Sequence, residues 1–300
     1  MKKVIVLMST FNGEKYLKEQ IDSIFQQSYQ NIQIVVRDDG SIDNTINILN
    51  SYKSEKFNWY SGNNLGPAKS FMDLIFNSPS SDYYAFSDQD DFWYSTKIEA
   101  AVNELEKQND KIPTLYYCRK RITDDKLQVL GNGQDMFYEN LTFGFSLMKC
   151  TVAGCTMVMN DALVKLIKKY PVPKKFVMHD IWILLVALAF GKVISDNNIY
   201  MDYRQHDNNF YGALTNFKSV FLRRLKALSK HRYDRERSDM AREFLNTYNS
   251  ILSPREKKYL TCLSNLNMKN KLICIFSSYF KGENFIHSFL LKILFLLGWI

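Results

Sequence analysis

The 300-residue chain lacks paired cysteines. Its five, Cys118, Cys150, Cys155, Cys262 and Cys274, are odd in number and none falls in a CxxC. That indicates neither a disulfide framework nor a zinc site and predicts a reducing, cytosolic setting. A secretory leader is also missing, because Lys2 and Lys3 precede only Val4 to Met8 before the polar Ser9. This apolar run is too short for a signal peptide, and the chain is expected not to be exported. Phe285 to Ile300 holds one lysine and little else that is polar, but its sixteen residues fall short of the roughly twenty a spanning helix needs. Acids are outnumbered, 31 against 39 basic residues, for a formal charge of +8. Such an excess favours an anionic partner: nucleic acid, a nucleotide-bearing substrate or the inner face of a membrane. What is present is ample apolar material, 46% of the chain, enough to bury the core of one large domain, alone or with an appended piece.

The first 120 residues alternate between two periods. Lys3 to Met8 is an apolar run of strand length, and Glu14 to Gln26 places Tyr16, Leu17, Ile21, Ile24 and Phe25 at helical spacing. Ile32 to Arg37 followed by Asp43 to Tyr52 repeats the unit, as does Phe57 to Tyr60 followed by Pro67 to Phe76, where Pro67 suits a first helical turn. Tyr83 to Phe86 is a fourth strand. Strands separated by helices predict an α/β fold with a mainly parallel sheet covered on both faces. Ligands then bind beyond the strand carboxyl ends, where STFN, RDDGS, GNNLG and SDQDD all fall. Further on, strands are expected at Thr114 to Arg119, Thr151 to Met159 and Ile199 to Tyr203, a variable loop at Leu127 to Asn140 and an apolar helix at Ile181 to Phe190. From Asn216 the composition shifts: residues 218 to 237 hold eight Lys or Arg against two acids. This predicts a catalytic domain over 1–215 and a helical, partly basic region over 216–300.

SDQDD puts Asp88, Asp90 and Asp91 within four positions. Crowded carboxylates raise one another's pKa unless a cation lies between them. Oxygen ligands of this kind suit Mg²⁺ or Mn²⁺ with substrate phosphates completing the shell. The plainer alternative is a helix cap, although one Asp would suffice for that. In RDDGS, Asp39 can accept from a pyrimidine N3–H or from ribose hydroxyls, whereas Asp43 reads as a helix cap and Gly40 as a turn residue.

STFNG at 9–13, RDDGSIDNT at 37–45, NNLG at 63–66 and SDQDD at 87–91 resemble, in order and spacing, the nucleotide-sugar-binding half of glycosyltransferase family 2. The resemblance continues through GCTMVMN at 154–160, HDIW at 179–182 and YRQH at 203–206, and so spans roughly residues 1 to 210. These later forms look most like bacterial transferases that build rhamnose-containing cell-surface polysaccharides.

The resemblance implies a GT-A fold and an inverting displacement on a nucleoside diphosphate sugar, dTDP-rhamnose first and UDP-sugars next. By position, Thr10, Asn12 and Glu14 would lie along the nucleotide and Asp39 would accept from the base. Asp88 and Asp90 would fill the family's DxD, with Asp90 as metal ligand. Asp180 stands where the family places the base that deprotonates the acceptor. Here His179 precedes it in place of a second acid, and an ordinary N-cap is the structural alternative. Trp182 is either a stacking floor for a sugar or core. His206 is a further metal ligand or a structural histidine, and Arg204 pairs with phosphate or packs structurally. Gly154 and Cys155 match the acceptor-side strand, with a buried thiol as the default reading of Cys155.

The apolar tail is expected to lie in a membrane interface or against another subunit, and the 218–237 segment to meet anionic lipid or stand solvated. A lipid-linked acceptor would make membrane contact useful. Nucleotidyl transfer would need a more glycine- and lysine-rich early loop than STFNGEKY. Nucleic-acid binding, suggested by a pI near 9.0, is disfavoured because the basic excess lies after residue 217. An inactive relative is disfavoured because Asp88, Asp90 and Asp180 are all present.

Overall fold

The computed structural model describes residues 1–149, 151–206, 235–282, 285–298 and 300. The expected domain boundary near 215, Cys150 and most of the basic 218–237 segment lie outside these residues.

The N-terminal half is built from the expected units. They run β1 (Val4–Thr10), α1 (Leu17–Phe25), β2 (Ile32–Asp38), α2 (Thr45–Ser51), β3 (Phe57–Ser61), α3 (Pro67–Asn77) and β4 (Tyr83–Ser87). All their strand pairings are parallel. The period-2 alternation divides β1 between two cores: Val4, Val6 and Met8 pack with α1, and Ile5 and Leu7 with α3.

After β4 come β5 (Phe92–Trp93), α4 (Lys97–Glu106), β6 (Thr114–Thr123), β7 (Val129–Gln134), α5 (Phe143–Met148), a 3-10 turn at Gly154–Thr156, β8 (Met157–Asn160), α6 (Asp161–Lys168), α7 (His179–Phe190) and β9 (Lys192–Arg204). The sheet order is β3-β2-β1-β4-β8-β6-β9-β5, with β7 on β6. The α/β architecture is as expected, but β8 runs antiparallel to both β4 and β6, so the sheet is mixed beyond β4.

Several local expectations are corrected. The loop expected over 127–140 contains β7, whose glycines Gly131 and Gly133 take positive φ in a strand that otherwise carries few apolar side chains. The strand expected over 151–159 begins as the 3-10 turn. Asn160 caps α6 through Leu163 N–H at 3.0 Å. Four helices close the described chain: α8 (Glu236–Tyr248), α9 (Pro254–Ser264), α10 (Met268–Phe276) and α11 (Phe285–Leu297). Phe244 and Tyr248 of α8 join the core beneath α7, so this helical region shares the catalytic domain's packing.

Candidate active site

Three loops at the carboxyl ends of β1, β2 and β4 are tied together by side chains. Thr10 Oγ1 donates to Gln89 Oε1 at 2.6 Å, Phe11 N–H donates to the same oxygen at 2.9 Å, and Gln89 Nε2 donates to the Phe11 carbonyl at 3.1 Å. A Cβ at Gly13 would sit 2.4 Å from Gln89 Oε1, so glycine is required for this approach. Asn12, at φ 49°, accepts from Ile42 N–H at 2.9 Å, and Glu14 accepts from Asn44 N–H at 2.9 Å. Asp43 accepts from the Glu14 and Thr45 N–H groups at 3.0 Å, which holds its carboxyl below the usual range against the opposing effect of burial. The N-cap of α2 is Asn44, so Asp43 is not the cap expected of it but ties the turn to Thr45 and Glu14.

On the second turn Asp38 accepts from Gly40 and Ser41 N–H and from the Ser61 hydroxyl. Asp39, 2% exposed, pairs with the Arg37 guanidinium and accepts from Leu65 and Gly66 N–H at 2.9 Å each. Arg37 is itself buried and also reaches Asp73 at 3.0 Å and the Asn63 carbonyl at 3.0 Å. Asp39 thus fixes the 63–66 loop with both oxygens engaged.

The acidic cluster divides into two neighbouring groups. Asp90 meets His206 Nε2 at 2.8 Å, and the imidazole stacks on Tyr16 with centroids 5.1 Å apart. Asp88, Asp91 and Cys155 bring ligand atoms within 4.8 Å of one another. Asp91 Oδ1 accepts from Arg204 N–H at 3.3 Å, whereas its buried Oδ2 has no hydrogen-bond partner. Burial, and then the neighbouring Asp90, push the Asp88 carboxyl up to about 7; burial, then Asp88 and Asp90, push Asp91 well above the carboxylate range. An orphaned buried oxygen beside oxygen-rich neighbours fits a divalent cation, with Asp88, Asp90, Asp91, His206 and Cys155 as the candidate holders.

Two lysines that the sequence did not single out, the buried Lys97 and the part-buried Lys120, partly offset this charge. Lys97 Nζ donates to the Cys155 carbonyl at 2.5 Å and lies 3.6 Å from the Trp93 ring centroid. Lys120 Nζ lies 3.3 Å from Asp135 and 3.8 Å from the Tyr203 ring centroid. Asp88, Asp91 and Asp180 all feel the charge of Lys120. Nothing in the spacing marks either lysine, because a lysine on an amphipathic helix or at a strand end ordinarily points to solvent.

Asp180 is the second residue of α7, after His179, and is not its N-cap, a position held by Met178. Its carboxylate is 6% exposed and accepts from Ile181 N–H at 2.6 Å. Burial raises its pKa to about 6, outweighing the Ile181 and Gly154 backbone donors and Lys120. His179 is wedged between Phe71, 4.2 Å away, and Phe86, with both ring nitrogens buried and unpartnered; burial alone lowers its pKa to about 3. Gly154 admits it, since a Cβ there would stand 2.6 Å from Nε2.

The sugar-floor alternative for Trp182 is corrected: the ring is 1% exposed and packs on Phe244 and Tyr248 in the core. Arg204 is also buried. It pairs with Glu19, donates to the Asp90 carbonyl at 2.8 Å and lies over Tyr16, bracing the acidic loop from behind. Cys155 is the buried thiol expected, 1% exposed.

Strand-end loops beside clustered carboxylates, with a buried acid nearby, sit on a mixed sheet flanked by helices, the architecture of the GT-A fold. A sequence profile described as Glycosyl transferase family 2 matches residues 5–167, and the chain belongs to that family and is a glycosyltransferase. It is 33% identical over 234 residues to the dTDP-rhamnosyl transferase RfbG of Shigella flexneri, covering 72% of this chain and 77% of that protein. It is 29% identical to the uncharacterized glycosyltransferase RT0329 of Rickettsia typhi, covering 76% and 73%. Among solved structures, S. aureus TarS 1-349 superposes with TM-score 0.59 at 19% identity, over 87% of this chain and 70% of that one. The mannosyltransferase PcManGT from Pyrobaculum calidifontis, in complex with GDP-Man and Mn²⁺, superposes with TM-score 0.54 at 12% identity, over 99% and 86%.

Proposed function

We propose that this chain is a divalent-metal-dependent, inverting glycosyltransferase that moves rhamnose from dTDP-rhamnose to a saccharide acceptor, lipid-linked, during cell-surface polysaccharide synthesis. The observation that carries the reading is Asp180: a buried carboxyl with a pKa raised to about 6, sharing the field of Lys120 with Asp88. A base for an acceptor hydroxyl works best when its pKa lies near the operating pH. Similarity to RfbG supports the rhamnose donor, and a UDP-sugar is the next choice.

In this reading Thr10, Asn12 and Glu14 form the nucleotide wall, with Gln89 locking it to the acidic loop. Asp39 acts there indirectly, by holding the 63–66 loop beside the base. Asp88, Asp90 and His206 hold Mg²⁺ or Mn²⁺, with Asp91 and Cys155 behind them. The ion supplies charge that offsets the diphosphate leaving group. Arg204 keeps the acidic loop and His206 in register instead of binding phosphate directly. Asp180 takes the proton from the acceptor hydroxyl on the face opposite the leaving diphosphate, so the new glycosidic bond forms with inversion.

The test is a panel of dTDP-rhamnose and UDP-sugars incubated with a saccharide acceptor, with Mn²⁺, Mg²⁺ or chelator, following nucleoside diphosphate release. Release from dTDP-rhamnose, requiring metal and giving a product of inverted anomeric configuration, is expected. Release from a UDP-sugar alone would reassign the donor, and undiminished turnover in chelator would overturn the metal role.

A further inference from the structure

Among the described residues, the two last helices leave apolar side chains exposed. On α11 the residues Phe285, Phe289, Ile293 and Leu296 are all exposed, and their spacing of three and four places them on one helix face. On α10, which packs against α11, Met268, Leu272 and Phe276 are exposed in the same rhythm. Phe285 and Phe276 are 86% and 82% exposed. Exposed apolar helix faces of this kind mark an interaction site.

Charge identifies what covers it. The segment 268–298 carries four lysines, Lys269, Lys271, Lys281 and Lys292, against one acid, Glu283. A cavity of about 440 Å³ opens beside the C-terminal end of α11, lined by Arg235, Arg242, Lys271, Asn267 and Leu297 among others. A second copy docking through this face in a two-fold arrangement would set the same lysines of this net-basic segment against one another. No helix of the described residues is long and apolar enough to cross a membrane. The thirteen residues of α11 extend about 20 Å, suited to lying in the plane of an interface.

We propose that the α10–α11 face docks on an anionic bilayer surface, with the exposed phenylalanines entering the acyl boundary and the basic cavity receiving a lipid phosphate. The helices carrying this face join the core that packs under α7, so docking would hold the acceptor side of the enzyme at the membrane. The contact does not depend on the donor.

Flotation of the full chain with phosphatidylcholine vesicles, and with vesicles also containing phosphatidylglycerol, tests this without substrate. Binding to the anionic vesicles only is expected, weakened by salt. The variant Phe276→Ser/Phe285→Ser/Phe289→Ser should keep its melting temperature, because those rings are exposed, and lose about tenfold or more in vesicle partitioning. Lys269→Gln/Lys292→Gln should lose the preference for anionic vesicles. Failure to float with either vesicle, equal binding to both, or a dimer by sedimentation that the serine variant dissociates would each overturn the proposal.

Discussion

The Asp90 carboxylate and the His206 imidazole meet at 2.8 Å although 116 residues separate them. The contact joins the loop after β4 to the end of β9, and Tyr16 holds the imidazole by stacking on it. An oxygen and a nitrogen this close can share one cation with little movement. Asp90→Asn and His206→Ala should each abolish the Mn²⁺-dependent rise in melting temperature caused by dTDP or UDP. Tyr16→Ala, which frees the imidazole and removes the ring under Arg204, should weaken metal affinity about tenfold, as loss of an orienting neighbour does. A full Mn²⁺-dependent shift in His206→Ala would remove that residue from the metal site.

Gln89 makes three hydrogen bonds to the Thr10–Phe11 segment. Such bonds contribute about 1 kcal/mol each, net of water. Gln89→Ala should therefore loosen the nucleotide wall and raise the KM for donor about tenfold, with a smaller change in kcat. Steady-state kinetics on the donor check this, and a loss confined to kcat would place Gln89 in the chemical step instead.

Trp182 fills the space between α7 and α8. Trp182→Ala should cost about 3–5 kcal/mol in chemical denaturation, while Trp182→Phe should fold and keep the acceptor KM. A stacking role would give the opposite pattern, a raised acceptor KM with little loss of stability.

The sequence carried the N-terminal half of this site because its chemistry is local. β1 and β4 are nearly continuous apolar runs, β2 is largely apolar, and the polar loops follow the strands directly in the chain. The C-terminal half depends on non-local pairing: β8 inserts between β4 and β6, which brings Cys155 to Asp88, and no period in the sequence reports that. Arg37, Lys97 and Lys120 escaped notice for the same reason. Each is a charged side chain whose burial is decided by partners far along the chain, Asp73 for Arg37 and the Cys155 carbonyl for Lys97. Trp182 shows the converse, since a tryptophan at a helix start reads equally well as floor or core until α8 is placed against it.

Asp180 yields the sharpest prediction, because its ionisation bears on stability and turnover in opposite directions. Its folded pKa of about 6 lies above the ordinary 3.8, so the ionised carboxylate opposes folding. The penalty is absent below about pH 4, grows as pH rises through about 6 and is complete above it. Asp180→Asn removes it while keeping an acceptor for Ile181 N–H. The variant should be more stable than the parent at about pH 8, by up to about 3 kcal/mol, and no more stable at about pH 4. Turnover should fall about 10²–10⁴-fold with donor affinity nearly unchanged, as loss of a general base requires. In the metal-loaded parent, kcat/KM should rise with pH and then level off, with the limb below about 6 because the cation adds to the field of Lys120. Lys120→Met, by removing a nearby cation, should move that limb to higher pH. A variant stabilised at high pH yet fully active would leave Asp180 a buried acid with no part in proton transfer.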